Sequence, residues 1–523
     1  MDQHEIAVAE IAKKVQKFHK EETPYRIYHG STNRTRPLSH DQDKVIDTSQ
    51  LSNVIAVDKT TLTVIVEPNV PMDQLVLSTL EHGVIPKVVP EFPGITVGGT
   101  FSGTGAESSS FKYGYFDRSV NWAEIVLADG RIAKASQREN ADLFNGSVGA
   151  CGTLGVCTLF EIQLMPSGKY IEVAYFPVYS IAEAAETLDR WRHESCKPTT
   201  RASTETVPPG WDFLDAVLYS KTHGVVVAGR VTQSPRQGLR ISRFSRRQDQ
   251  WFYLHAHSRI AHQPGITCDT CAHSRALGPM VTAPVIELVP VFDFLFRYDR
   301  GAFWMGSYGW PSWQFNRVGR ALLDSLFRTR TLYKAMHLSG RAQKFIIQDI
   351  AVPRSKAERF LDWADEKLRI YPLWLCPIAA ETQAPLHLAN RPSVEVSMDG
   401  SLINVGLWGV PATIPVWHDR IKTQREYVEE LVDLNRLLEQ KTKEVGGLKW
   451  LYARNYYSEE QFWGIYDKQK YDELRQRWGA ETLPSLWEKV RNRHPEYVQE
   501  DLVGALLSMA VGRDHILGKQ HGG

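Results

Sequence analysis

The stretch Val97–Asp117, V-G-G-T-F-S-G-T-G-A-E-S-S-S-F-K-Y-G-Y-F-D, constrains this chain more than any other. It holds five of the 37 glycines, six serines or threonines, and no proline. Apolar strand-like segments flank it, Leu62 to Val66 before and Trp122 to Leu127 after. Glycines at 98, 99, 103 and 105 let a backbone come close to a bulky group or take positive φ. Successive free N–H groups in such a loop form an anion-binding concavity, and a diphosphate is its natural guest. Gly103-x-Gly105 is not a Rossmann fingerprint, because position 108 is Ser and no clear helix is expected to open there. The alternative to a phosphate cradle is a long Gly/Ser surface loop.

A chain of 523 residues is too long for one ordinary core and implies two or three domains. Its net charge of +1 provides no basic excess for nucleic-acid binding. The local basic run Arg236 to Arg247 reads as a solvated loop. Six cysteines do not make a disulfide scaffold in so long a chain. Cys268-x-x-Cys271 has no second C-x-x-C, so zinc is not expected and reduced, cytosol-facing thiols are. The N-terminal Met-Asp-Gln-His-Glu is not a signal peptide. No run of about 18 uncharged apolar residues suggests a transmembrane helix. Leu277 to Phe296 comes nearest, but Glu287, Asp293 and three prolines make it buried or interfacial.

In chain order, apolar Val8, Ile11, Val15 and Phe18 predict a helix over residues 6–21. A short strand then ends at Gly30, before the polar turn Ser31-Thr32-Asn33 and the cations Arg34 and Arg36. This is a second candidate phosphate loop. Val54 to Val57 and Leu62 to Glu67 read as a hairpin, and Pro71 opens a helical stretch. Asp129-Gly130 joins two further strands. A third glycine loop, Gly149 to Gly155, precedes the strand Val156 to Leu164. Three such loops, each beside a strand, point together to a nucleotide cofactor.

After Pro166 the pattern changes to strand, helix, strand, strand: Tyr170 to Val178, a helix opened by the capping box Ser180–Glu183, Asp215 to Ser220 and Gly224 to Thr232. The order recurs in Lys344 to Val352, a helix opened by a second box at Ser355–Glu358, Tyr371 to Ile378 and Leu402 to Leu407. Two such units predict an internal duplication packed into one antiparallel sheet. Between them, Trp251 to Gly340 is rich in aromatics. Two readings stay open for it: a helical core insertion, or an apolar substrate wall or membrane-contacting lip. A charged helix follows from His418 to Val445.

Val97-Gly-Gly-Thr, Gly103-Thr-Gly-Ala-Glu-Ser-Ser-Ser-Phe-Lys-Tyr-Gly, Val126-Leu-Ala-Asp-Gly, Asp142-Leu-Phe and Cys151-Gly-Thr-Leu-Gly resemble the FAD-binding (PCMH-type) domain of the vanillyl-alcohol-oxidase type. With Leu218-Tyr-Ser, Gln348-Asp-Ile, Tyr371-Pro-Leu-Trp-Leu-Cys-Pro and Leu451-Tyr-Ala, the chain resembles the delta(24)-sterol reductase family over roughly residues 25–490. The resemblance implies an α+β fold: a two-subdomain FAD-binding domain (1–168), an antiparallel-sheet cap or substrate domain (169–455) with a helical insertion at about 245–340, and a C-terminal helical segment (456–523).

It also implies site residues. Gly30, Ser31, Thr32 and Asn33, with Val97, Gly98, Gly99, Thr100, Gly103, Thr104 and Gly105, would cradle the FAD diphosphate. Glu107, Ser108, Ser109, Ser110, Tyr113 and Gly114 would lie toward the flavin ring. Cys151, Gly152, Thr153, Gly155 and Val156 would contact the flavin or adenosine end. Because Ser31-Thr32-Asn33 stands where many relatives carry a linking histidine, non-covalent FAD is expected, with His29 one or two positions early. The chain departs from the family at the N-terminal membrane segment, which has no counterpart here. It departs again at Val291 to Arg300, which aligns with a segment richer in histidine.

Reducing an isolated trisubstituted alkene requires protonation of its less substituted carbon and hydride delivery to the resulting tertiary cation. That needs a positioned acid, a dry apolar pocket and NADPH to reload the flavin. Tyr298, Asp299 and Glu107 are the candidate acids, and Arg300 is a candidate to hold a flavin or substrate oxygen. The expected substrate is a sterol or terpenoid. The expected location is cytoplasmic or peripheral on the cytosolic face of the endoplasmic reticulum. A flavin oxidase, dehydrogenase or double-bond isomerase of another lipophilic metabolite, and a non-catalytic sterol-binding protein, are the alternatives.

Overall fold

The structure, a computed structural model, describes residues 2–30, 33–36, 42–196, 210–233, 236–261, 284–309, 316–379, 401–414 and 423–492. The N-terminal part opens with a helix, Asp2–Lys20, that buries Val8, Ile11, Val15 and Phe18 as their spacing predicts. Strands β1 (Arg26–Tyr28) and β2 (Val45–Asp47) form a small parallel pair. The remaining strands are β3 (Val54–Asp58), β4 (Thr63–Val66), β5 (Val84–Pro86), β6 (Val120–Leu127), β7 (Ile132–Ser136) and β8 (Gly155–Pro166). They build an antiparallel sheet in the order β3-β4-β8-β6-β7, with β5 also on β8. The two expected hairpins, β3–β4 and β6–β7, are present, and Gly130 takes φ +87° in the second turn.

The second sheet has eight strands. They are β9 (Tyr170–Val178), β10 (Phe213–Ser220), β11 (His223–Thr232), β12 (Val285–Pro290), β13 (Ile346–Pro353), β14 (Leu373–Ala379), β15 (Ser401–Gly409) and β16 (Leu448–Lys449). Their order is β12-β9-β11-β10-β14-β15-β13-β16, all antiparallel. The two halves β9-β11-β10 and β13-β15-β14 are the predicted duplicated units. They meet at β10–β14, so that corresponding strands lie at mirrored places. Their helices, Ile181–Cys196 and Ala357–Lys367, pack together on one face. Each buries an i, i+3, i+4, i+7 stripe, Ile181-Ala184-Ala185-Leu188 and Ala357-Phe360-Leu361-Ala364. The helix Gln424–Glu444, opened by a capping box at Thr423, covers the same face. The other face meets the first domain.

Three expectations need correction. A short helix, Ser110–Tyr113, opens just after Ser108, where no clear helix was expected, and Val97–Ser102 forms another before Gly103, N-capped by Thr96. The second capping box is not made. A 3-10 turn over Arg354–Lys356 delays the helix to Ala357, which leaves Glu358 one position too early to reach back. The helical insertion contains strand β12, because the apolar, β-branched run V-I-E-L-V pairs with β9 at the sheet edge. The aromatic segment serves both readings. Phe294, Phe296, Tyr298 and Trp304 are core, while Phe303 is core and also lines a cavity. Trp310, Trp313 and Phe315, like Cys268 and Cys271, lie outside the described residues.

Candidate active site

The glycine-rich helix and loop, the β1 exit, the Gly149–Gly155 loop and the cap sheet converge on one cavity of about 340 Å³. At one end the wall is backbone. A Cβ on Gly98 would stand 2.8 Å from Pro68 Cβ, and one on Gly105 would stand 2.3 Å from Thr100 Cγ2. These glycines permit close approach; between Val97 and Gly105 the positive φ belongs to Thr104, at 55°. Across from them, Cys151 and Gly152 are left-handed, at 51° and 73°, and a Cβ on Gly152 would meet Ile27 at 2.7 Å.

Cations crowd this end. Arg34, Arg36 and Lys489 line the cavity, and Arg26 lies beside them. Burial, then the Arg26 charge, brings Lys489 down to about 7. Burial, then Arg34 and Lys489, brings His29 down to about 4. Arg34 and Arg36 are likewise held below the ordinary guanidinium value, chiefly by burial. Arg36 Nη1 donates to the Lys489 carbonyl at 2.9 Å, whereas Arg36 Nε and His29 Nδ1 are buried without partners among the described residues. Crowded, buried cations beside a glycine wall suit a diphosphate, whose charge would remove their repulsion. The residues present therefore fit the diphosphate of FAD.

The other end is built on the register of the cap sheet. Side chains alternate between faces, so Asp349 shares the cavity face with Ile347 and Ala351. Cross-strand pairing puts Asp349, Gly406, Trp374 and Val217 in one row over β13, β15, β14 and β10. Gly406 leaves the floor open: a Cβ there would stand 3.1 Å from Asp349 Oδ1 and 3.3 Å from Trp374 Cβ. Phe92 packs edge-on against Phe303, Tyr333 and Trp408, with centroids at 5.6, 6.1 and 5.6 Å, and closes the chamber. Trp450 Nε1 donates to the Thr104 carbonyl at 2.8 Å, tying this end to the glycine end.

Two acids, Glu91 and Asp349, line the cavity among the described residues. Asp349 Oδ2 accepts from Tyr452 at 2.5 Å and Oδ1 from Asn404 at 3.2 Å. Burial outweighs these donors and lifts its carboxyl to about 6. Glu91 is pushed well above the carboxylate range by burial and then by the charge of Glu107. Its Oε1 is buried and has no partner among the described residues.

The predicted site residues divide. Asn33, Gly98, Gly99, Thr100, Gly103, Thr104, Gly105, Cys151, Gly152, Gly155 and Val156 line the cavity; Ser31 and Thr32 lie outside the described residues. Gly30, Val97 and Thr153 do not line it: Val97 is core, and Thr153 Oγ1 donates to the Ala150 carbonyl and accepts from Tyr471. Glu107, Ser108, Ser109, Ser110, Tyr113 and Gly114 turn instead under the cap sheet. There Ser108 and Ser109 donate to Glu107, Ser110 Oγ accepts from the Glu107 N–H, and Leu214 N–H donates to the Ser108 carbonyl. Burial raises Glu107 against those hydroxyl donors.

Of the other acid candidates, Tyr298 sits one layer behind the chamber, donating to Asp215 at 2.9 Å and stacking on Phe303 at 4.1 Å. Asp299 accepts from Thr329 and Arg328, and Arg300 donates to Asp324 and to the carbonyls of Asp249 and Arg247. Those contacts hold the insertion together away from the cavity, which corrects the expected roles of Asp299 and Arg300. Sequence reading missed Lys489, Glu91 and Asp349. A lone acid inside the apolar runs V-V-P-E-F-P and I-I-Q-D-I-A-V was the available signal for the two carboxyls; nothing local marked Lys489.

Residues 7–136 match the FAD binding domain family. The chain is similar to the delta(24)-sterol reductase of Homo sapiens, 26% identical over 457 residues, covering 84% of this chain and 76% of that one. It is similar to the delta(24)-sterol reductase of Pisum sativum, 28% identical over 475 residues, covering 85% and 76%. A cytokinin dehydrogenase of Oryza sativa is 29% identical over 169 residues, covering 32% of this chain and 29% of that one. The chain carries a match to the FAD binding domain family over residues 7–136 and resembles the delta(24)-sterol reductases over most of its length.

Proposed function

We propose that this protein reduces a C=C bond in the aliphatic tail of a sterol or terpenoid, using non-covalent FAD and NADPH as electron donor. The observation that carries the reading is the continuity of one cavity. A cation-lined glycine wall at one end runs into an apolar aromatic chamber with two buried carboxyls at the other. FAD, when bound and reduced, supplies hydride to a carbon held against its ring. The protein's own residues do the rest. Arg34, Arg36 and Lys489 hold the diphosphate, Phe92, Phe303, Tyr333 and Trp408 exclude water, and a carboxyl facing the chamber supplies the proton. NADPH shares the flavin face in this reading.

Division into residues 1–168, 169–455 and 456–523 goes with it, the last segment returning Lys489 to the cofactor end. Among the described residues no helix is long and apolar enough to cross a membrane. Exposed Val318, Leu322 and Leu326, beside Arg317 and Arg320, support peripheral contact with the cytosolic face of the endoplasmic reticulum.

The test is incubation of the FAD-loaded protein with NADPH and desmosterol, a sterol with a trisubstituted alkene in its tail, followed by mass spectrometry. Gain of two hydrogens supports the reading; unchanged sterol contradicts it. Similarity of 32% of this chain to a cytokinin dehydrogenase favours, as a second reading, a flavin oxidase or dehydrogenase of another lipophilic metabolite. Oxygen uptake on addition of such a metabolite, without NADPH, would mark it.

A further inference from the structure

We propose that Glu91 is the group that delivers the proton to the substrate alkene, with Asp349 facing it across the chamber as an acceptor. This inference rests on the reductase reading and names the residue that reading requires. Both carboxyls line the same chamber, but their surroundings differ in kind. Asp349 has each oxygen occupied by a donor, Tyr452 on Oδ2 and Asn404 on Oδ1, an arrangement that suits the ionised form. Glu91 is 8% exposed, stands next to Phe92 in the aromatic wall, and has Oε1 buried without a partner among the described residues.

The charged groups around Glu91 favour the neutral form on balance. The charges of Glu107 and Asp215 both repel a negative charge there; Arg297 opposes them. Arg297 is already engaged, donating to Asp215 at 2.8 Å and to the Phe294 carbonyl at 2.8 Å. The Cys376 thiol, which feels Glu91, Asp215 and Glu107 in turn, is kept neutral by burial. Two acids whose environments push them apart in this way mark a proton donor and its charged counterpart. Cys376 and Trp374 share a face of β14, whereas Asp349 is on β13, with β15 between. Two strand spacings separate the Cys376 and Asp349 columns by roughly 10 Å.

The chemistry balances. The Glu91 O–H bond breaks and a C–H bond forms on the less substituted alkene carbon, using the π electron pair. Hydride from reduced flavin, with its electron pair, adds to the tertiary carbon opposite. The alkene is reduced by two electrons, the flavin is oxidised by two, and Glu91 is left as a carboxylate that regains its proton from solvent. The cation formed in passing is held by the aromatic faces and by ionised Asp349.

Glu91→Gln keeps shape and removes the acidic proton. In anaerobic stopped-flow with the FAD-loaded protein, NADPH is expected to bleach the flavin of Glu91→Gln as in the wild type. Reoxidation by desmosterol is expected to slow by roughly a hundredfold to ten-thousandfold, with partial recovery in Glu91→Asp. Independently of turnover, the infrared difference between wild type and Glu91→Gln at neutral pH is expected to show a deuterium-sensitive neutral carboxyl band. The difference between wild type and Asp349→Asn is expected to show a carboxylate band. Wild-type reoxidation in Glu91→Gln, or a Glu91 difference without the neutral band, would overturn the assignment. A wild-type protein that ignores NADPH or desmosterol would instead remove the reductase reading, while the infrared pair still decides the state of Glu91.

Discussion

The hydroxyl of Tyr452 donates to the carboxylate of Asp349 at 2.5 Å, joining cap strand β13 to a loop 103 residues later. Burial has lifted the Asp349 carboxyl from its ordinary 3.8 to about 6. A folded-state value above the unfolded one means that the fold holds the proton more tightly. This contribution to stability is complete at low pH and is lost as pH rises from about 4 to about 6. At neutral pH, ionised Asp349 costs the fold about 3 kcal/mol. Asp349→Asn should therefore melt higher than wild type at neutral pH and show a flatter pH slope across that window, read by thermal unfolding. Equal slopes in the two proteins would contradict this account of the pair.

Lys489 should have opposite effects on the apo and FAD-bound protein. Its lowered folded-state value, about 7, means that the unfolded state binds the proton more tightly. Apo stability should then rise as pH climbs from about 7 toward the ordinary lysine value. Lys489→Met should stabilise the apo protein at neutral pH, because it removes a charge repelled by Arg26, Arg34 and Arg36. It should also weaken FAD binding about tenfold to a hundredfold, the worth of a hydrogen bond to a charged group. Thermal shifts with and without FAD read both signs.

Gly105→Ala would place a Cβ 2.3 Å from Thr100 Cγ2, within the helix–loop that walls the cofactor end. Overpacking of this kind costs about 1–3 kcal/mol, and the displaced wall should lower FAD occupancy. The flavin-to-protein absorbance ratio after purification checks it.

Arg300→Ala should act on folding and not on chemistry. It would leave Asp324 with Arg328 as its remaining cation beside an emptied site and release the carbonyls of Asp249 and Arg247. Breaking a buried pair from one side costs up to about 3–5 kcal/mol, less where a second cation stays. Loss of soluble protein or a large fall in melting temperature is expected. A well-folded variant with a selective defect in alkene reduction would restore Arg300 to the site.

Much of this was legible in the sequence wherever the signal is local. The glycine wall needs small residues at fixed neighbouring positions, so Gly98 to Gly105 could be read directly. The duplicated cap units could be read from two runs of the same strand–helix–strand–strand order, because periodicity and turn chemistry act over a few residues. The chamber could not. Asp349 enters it by strand parity and by a row of pairing through Gly406 to Trp374, and Glu91 comes from a proline-flanked loop more than 250 residues earlier. Lys489 arrives from the far C-terminal segment. The resemblance to sterol reductases pointed toward Val291 to Arg300, but there Tyr298 is spent on Asp215 and Asp299 on Thr329. These are long-range consequences of packing.

The central claim is a single cavity in which bound FAD takes electrons from NADPH and passes them to an alkene. Its most direct test is the visible spectrum of the purified, FAD-loaded protein without air. Addition of NADPH should bleach the flavin bands, and addition of desmosterol should restore them as saturated sterol forms. Flavin bands that NADPH leaves unchanged, or that stay bleached after the sterol is added, would contradict it.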